Sequence, residues 1–108
     1  PVAEEAVAIL RELAAAYPDR YRPDLATSLT NLGNRFLELG RPADALPVAE
    51  EAVAILRELA MAYPDRYRPD LATSLTNLGV TFAELGRPAE AEEMQRGAEQ
   101  IRADYGDS

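Results

Sequence analysis

Residues 23–46 read PDLATSLTNLGNRFLELGRPADAL, and the spacing of their apolar residues decides the fold. Leu25, Leu29, Leu32, Phe36 and Leu39 recur at steps of four and three, the stripe of one α-helix, while Thr27, Thr30, Asn31, Asn34 and Glu38 lie off it. Pro23 is predicted in the first turn of this helix (helix A), with Asp24 favouring the positive N-terminal end and Gly40 closing the helix in a left-handed conformation. Arg41-Pro42 then opens helix B. From Ala43 to about Tyr63 its apolar face carries Ala45, Val48, Ala49, Ala52, Val53, Ile55, Leu56, Leu59 and Tyr63, leaving Glu50, Glu51, Arg57 and Glu58 to water. So short a connection makes A and B an antiparallel hairpin. The segment Tyr63 to Pro69 is predicted to break helix B and lead into the next A helix. Pro47 lies inside helix B, where a deep proline costs about 3 kcal/mol, and predicts a bend near the first turn. The last copy carries Glu93 there, so the bend is not required by the architecture.

Outward from this stretch the chain repeats itself. Shifted by 46 residues, Pro1 to Gly33 superimposes on Pro47 to Gly79 with one difference, Ala15 against Met61. Such a period indicates an array in which each unit buries its apolar face on the next. The predicted organisation is helix B of a truncated repeat over 1–22, one full repeat over 23–68, and a last repeat over 69–108, about two and a half repeats in all.

Leu29-x-x-Leu32-Gly33-x-x-Phe36 followed by Gly40, Ala45 and Ala52 resembles the tetratricopeptide repeat pattern, and Leu75-x-x-Leu78-Gly79-x-x-Phe82 with Gly86, Ala91 and Ala98 resembles it again. Small residues stand where the two helices of a hairpin approach, and Leu29 and Phe36 fill the gap between units. The usual Trp is replaced by Leu29, the usual helix-B aromatic by Ala49, and the period is longer than the family's usual 34. In these respects the chain looks most like the long repeats of kinesin light chains and bacterial signalling ATPases. The resemblance implies an all-α, antiparallel helix-hairpin solenoid with a right-handed superhelix, a protein-interaction function without catalysis, and a place in a larger bacterial regulator.

Composition narrows the function classes. The 108 residues include no Cys and no His, which removes thiol nucleophiles, disulfides, Cys/His metal sites and imidazole acid–base chemistry. A net charge of −8 argues against binding a phosphate backbone. No apolar run of membrane-spanning length and no signal-like segment appears, so a cytoplasmic setting is expected. Glu4-Glu5 and Glu50-Glu51 are adjacent on hydrated helix faces and point apart, which does not suit acid–base work. No catalytic residue, cofactor or metal site is therefore predicted. Gly33 and Gly79 are read as packing residues rather than phosphate-cradling ones, and Tyr17, Tyr21, Tyr63 and Tyr67 as packing around the inter-unit turn.

The ends differ in character. Glu92, Glu99 and Arg102 stand where the middle repeat has Leu46, Val53 and Leu56, and residues 89–108 carry six acids against two Arg, so the last helix is expected to cap the array with a wettable face. At the start, helix B lacks its own helix A, which is expected to leave Val7, Leu10 and Leu13 uncovered and to favour self-association, preferentially as a homodimer.

Because helix A lines the concave face in arrays of this type, the resemblance points to Thr27, Thr30, Asn31, Asn34, Thr73, Thr76, Asn77 and Val80 as ligand contacts. Asn31 and Asn77 lead, because an amide offers donors and an acceptor to the backbone of an extended peptide, and in the family an Asn before Leu-Gly often does this. Solvation of the same face is the competing reading, with equal weight for the two Asn residues and more for the threonines. The basic clamp that some relatives use for C-terminal carboxylates is not apparent, with only Arg35 nearby. Two functions follow: a scaffold holding an extended peptide or partner helix in its groove, or a structural element that assembles through its stacking faces.

Overall fold

The computed structural model describes residues 2–106, so Pro1, Asp107 and Ser108 lie outside the described residues. Five α-helices follow one another: α1 (Val2–Ala16), α2 (Pro18–Glu38), α3 (Pro42–Ala62), α4 (Pro64–Glu84) and α5 (Pro88–Ile101). A π-helical turn over Arg102–Gly106 follows α5, and no strand occurs among the described residues.

Each helix from α2 to α5 begins at a proline, the residue whose missing N–H costs nothing in a first turn. The preceding residues Tyr17, Arg41, Tyr63 and Arg87 make no side-chain cap, so proline and the first-turn acids Asp19, Asp44, Asp65 and Glu90 carry the start signal. This corrects the predicted boundary of helix A. The break after helix B is a single residue, Tyr17 or Tyr63, and Pro23 and Pro69 lie inside α2 and α4 rather than at their starts. Pro23 is tolerated there because it deprives only the carbonyl of Asp19, an exposed first-turn residue that water can serve. Pro47 occupies the same position relative to Pro42, and α3 continues through it without interruption.

The helix A to helix B turns end as the sequence predicts. Gly40 and Gly86 have φ of +69° and +73°. Around them Gly40 N–H donates to Leu37 O (3.0 Å) and Arg41 N–H to Phe36 O (2.8 Å), and the second turn repeats both bonds at Ala83 and Phe82. This is the Schellman pattern, which requires the left-handed residue that glycine supplies without a Cβ penalty. The arginine after each glycine lies over the ring it has just passed, Arg41 on Phe36 and Arg87 on Phe82, and pairs with the first-turn acid of the next helix, Asp44 or Glu90.

Every helix packs on the next, and α2 also touches α4, whereas the backbones of α1 and α3, and of α3 and α5, stay apart. The A helices thus converge and the B helices spread, forming a helical repeat solenoid that fans open with α2 and α4 on its inner side. Leu29, Ala45, Ala52 and Ala98 are fully buried along the hairpin seams, with Phe36, Leu75, Leu78 and Phe82 nearly so. Large residues from the A helices are received by small ones on the B helices, as close packing of two helices demands.

α1 departs from expectation. Val7 is 4% exposed, covered by α2, and Leu10 and Leu13 are half-buried, because the face of helix B that meets the following helix A is already occupied. The uncovered large apolar side chains of α1 are Val2 and Ile9. Ile9 is 56% exposed where its duplicate Ile55 is 6% exposed.

Candidate functional site

A cleft of about 330 Å³ opens between α2 and α4 on the converging side. Thr27, Thr30 and Asn31 of α2 form one wall and Arg66, Asp70 and Thr73 of α4 the other, with Ala26, Leu56 and Tyr67 as the apolar floor. The i, i+3, i+4 spacing of 27, 30 and 31 places these side chains on one flank of the helix, and the opposite stripe of Leu25, Leu29 and Leu32, buried in the core, fixes the rotation of α2.

The hydrogen-bonding groups of this face divide into two sets. Each threonine hydroxyl donates to the carbonyl four residues back: Thr27 to Pro23 (3.2 Å), Thr30 to Ala26 (2.9 Å), Thr73 to Pro69 (3.3 Å) and Thr76 to Ala72 (3.1 Å). Their protons are committed within their own helices, leaving acceptor capacity only. The side-chain amide of Asn31 is exposed and forms no hydrogen bond among the described residues, so both its donors and its acceptor face the cleft unused.

The remaining predicted residues lie elsewhere. Asn34 and Asn77 are half-buried outside the cleft wall, and Thr76 accepts a hydrogen bond from Arg102 Nη2 (3.1 Å), so the C-terminal turn covers the equivalent position of the second repeat. Val80, 40% exposed, lines a separate depression with Gly79, Ala91 and Gln95. Arg66 and Asp70 were not anticipated: Arg66 joins the wall because helix A starts at Pro64 rather than Pro69, whereas Asp70 already lay on the predicted helix and its place in the cleft went unread. Arg66 lies over the ring of Tyr67 at 5.3 Å, and Tyr67 meets Tyr63 edge-on at 6.3 Å, which holds this wall in place. Tyr67 is buried as packing around the turn requires, while Tyr17 and Tyr63 remain about 60% exposed.

Stacked hairpins with Leu-Gly on helix A, left-handed glycine between the helices and buried alanines on helix B are matched by tetratricopeptide repeat family models over residues 2–58 and again over 71–103. The chain belongs to the tetratricopeptide repeat family. Repeats of this family generally mediate protein–protein interaction. Comparison with curated proteins and with solved structures gives no match. No described helix of this tetratricopeptide repeat chain is long and apolar enough to cross a membrane.

Proposed function

We propose that this tetratricopeptide repeat chain is a scaffold that holds an extended peptide segment of a partner protein in the cleft between α2 and α4. The observation that carries the reading is the unused amide of Asn31, set among threonines whose donors are already committed. An amide in this position bridges a peptide N–H and C=O without reading the side chain between them. The walls offer two carboxylates, Asp24 and Asp70, against one guanidinium, Arg66, so a neutral or basic peptide suits them better than an acidic one. Asn77, in the second repeat, extends the contact only for a peptide that passes the C-terminal turn.

Panning a random twelve-residue peptide display library on the protein tests this. Selected peptides should lose on the order of tenfold or more in affinity with Asn31→Ala, the scale of one hydrogen-bonding side chain at an interface, with helicity unaltered. Equal affinity for both proteins would remove the reading.

A second reading, self-assembly, is favoured by one observation, the exposure of Ile9 and Val2 on α1. Under it the contact runs through Val2 and Ile9, with Leu10 and Leu13 at its edge, because Val7 is spent inside the protomer. Light scattering at micromolar concentration would then show a dimer that Ile9→Glu dissociates; a monomer at 11.8 kDa removes this reading.

A further inference from the structure

Three charged side chains line the cleft between α2 and α4, and the internal duplication sorts them into two kinds. Arg66 lies 5.3 Å from the ring centre of Tyr67, and its duplicate Arg20 lies at the same 5.3 Å from the ring centre of Tyr21. The pose of Arg66 is therefore a product of its own helix turn, since it recurs outside this cleft. Asp24 and Asp70 are duplicates too, but α2 brings one and α4 the other to opposite walls of the same space. Each unit carries a single carboxylate at this position of its A helix, and the approach of two A helices doubles it. Both are exposed, and neither forms a hydrogen bond or ion pair among the described residues.

Most of the remaining polar lining accepts and does not donate. The hydroxyl protons of Thr27, Thr30 and Thr73 are spent on carbonyls of their own helices, so these groups, like the two carboxylates, can only accept. Tyr67 is a separate sign that something is received here. It is 8% exposed, it lines the cleft, and its hydroxyl forms no hydrogen bond among the described residues. So buried a phenol ordinarily has a partner. The floor beside it is apolar, with Ala26 and Leu56 buried. Charge acts in the same direction at longer range, because the chain's net charge of −8 draws a cationic ligand toward it.

We infer that the peptide held in the groove carries a lysine or arginine whose side chain enters this cleft, with Asp24 and Asp70 as the residues that select it. The inference rests on the groove reading above and adds to it the identity of one side chain. Such a side chain has a hydrocarbon stem and a head that only donates, the complement of an apolar floor under an acceptor-lined rim. The stem lies on Ala26, Leu56 and the Tyr67 ring. The head sits between the two carboxylates and gives the Tyr67 oxygen a donor. Asn31 holds the peptide backbone and is indifferent to the side chain, so the two contacts are separable. A carboxylate in the same place would find Arg66 alone and face two like charges.

The test uses the whole chain and twelve-residue display peptides selected on it. Lysine or arginine should be enriched at one position of the selected sequences. Replacing that residue by norleucine, which keeps a stem and removes the charge, should weaken binding about tenfold. The Asp24→Asn, Asp70→Asn double variant should do the same, each exposed carboxylate being worth roughly threefold. That variant should bind the norleucine peptide as wild type does, whereas Asn31→Ala should weaken both peptides equally. Both aspartates are exposed and unbonded among the described residues, so the amide variants should keep the fold, which helicity checks. Selected peptides with no preferred basic residue, affinities that ignore the two aspartates, or equal losses for the basic and norleucine peptides would each overturn the inference. If Asn31→Ala still weakens those peptides, the groove reading survives that result. If instead the aspartates matter and Asn31 does not, the backbone contact fails and the basic-residue site stands. No peptide selected at all removes both.

Discussion

Gly33 and Gly79 occupy the same position in two copies of one sequence, yet alanine should have opposite effects at the two sites. A Cβ at Gly33 would meet Val48 Cγ2 at 3.5 Å and Ala49 Cβ at 4.0 Å, ordinary van der Waals distances. Replacing a helix-interior glycine by alanine is worth roughly 0.8–1 kcal/mol in propensity, so Gly33→Ala should stabilise by about that amount. At Gly79 the Cβ would lie 2.8 Å from Gln95 Nε2 and 3.2 Å from the carbonyl oxygen of Ala91. Gln95 can swing away, giving up its long contact with Thr76 O at 3.5 Å, but the Ala91 carbonyl belongs to α5 and moves only with that helix. Overpacking of this kind costs about 1–3 kcal/mol, which exceeds the propensity gain, so Gly79→Ala should destabilise by about 1 kcal/mol. The two variants then differ by about 2 kcal/mol, or on the order of 10 °C in midpoint for a chain of this size. Thermal and urea unfolding followed by circular dichroism at 222 nm reads the difference directly. Shifts of the same sign and size would show that the α4–α5 approach is no tighter than the α2–α3 approach, and would refute the reasoning.

Leu29, with none of its surface exposed, should cost about 3–4 kcal/mol when replaced by alanine, measured by urea unfolding. Gly40→Ala meets no atom within 4 Å, so its cost is that of forcing φ +69° on an L-residue, about 1–2 kcal/mol in the same assay. Glu90 is held below its ordinary pKa by the hydrogen bond from Arg87 and by the charge of that guanidinium. A lowered folded-state value means the pair's contribution is present above the unfolded pKa and fades as pH falls through the folded one. In a carbon-13 NMR titration, Glu90 should therefore titrate below the ordinary glutamate value, and Arg87→Ala should return it toward that value.

Helix count, hairpin turns and stacking were legible because each rests on a local rule with one physical cause. Leucines at steps of three and four fix a helical stripe, glycine fixes the left-handed turn, and an internal copy fixes the period. The start of helix A was not, because Pro18 and Pro23 both satisfy first-turn chemistry, and only the packed structure shows that the helix runs through the second. The cleft was half legible for the same reason. Thr27, Thr30 and Asn31 follow from the stripe, whereas Arg66 enters only once α4 begins at Pro64. On α1, Val7 was misjudged because a helix B has two apolar faces; the duplicate Ile55 shows which one α1 leaves open.

The central functional claim is that a peptide lies between α2 and α4 against the amide of Asn31. The most direct measurement is the side-chain amide region of a nitrogen-15 NMR spectrum, recorded as a selected twelve-residue peptide is added. The Asn31 NH2 pair should shift and become protected from exchange together with the Thr27 and Thr73 signals. A saturating peptide that leaves the Asn31 pair unmoved would contradict the account.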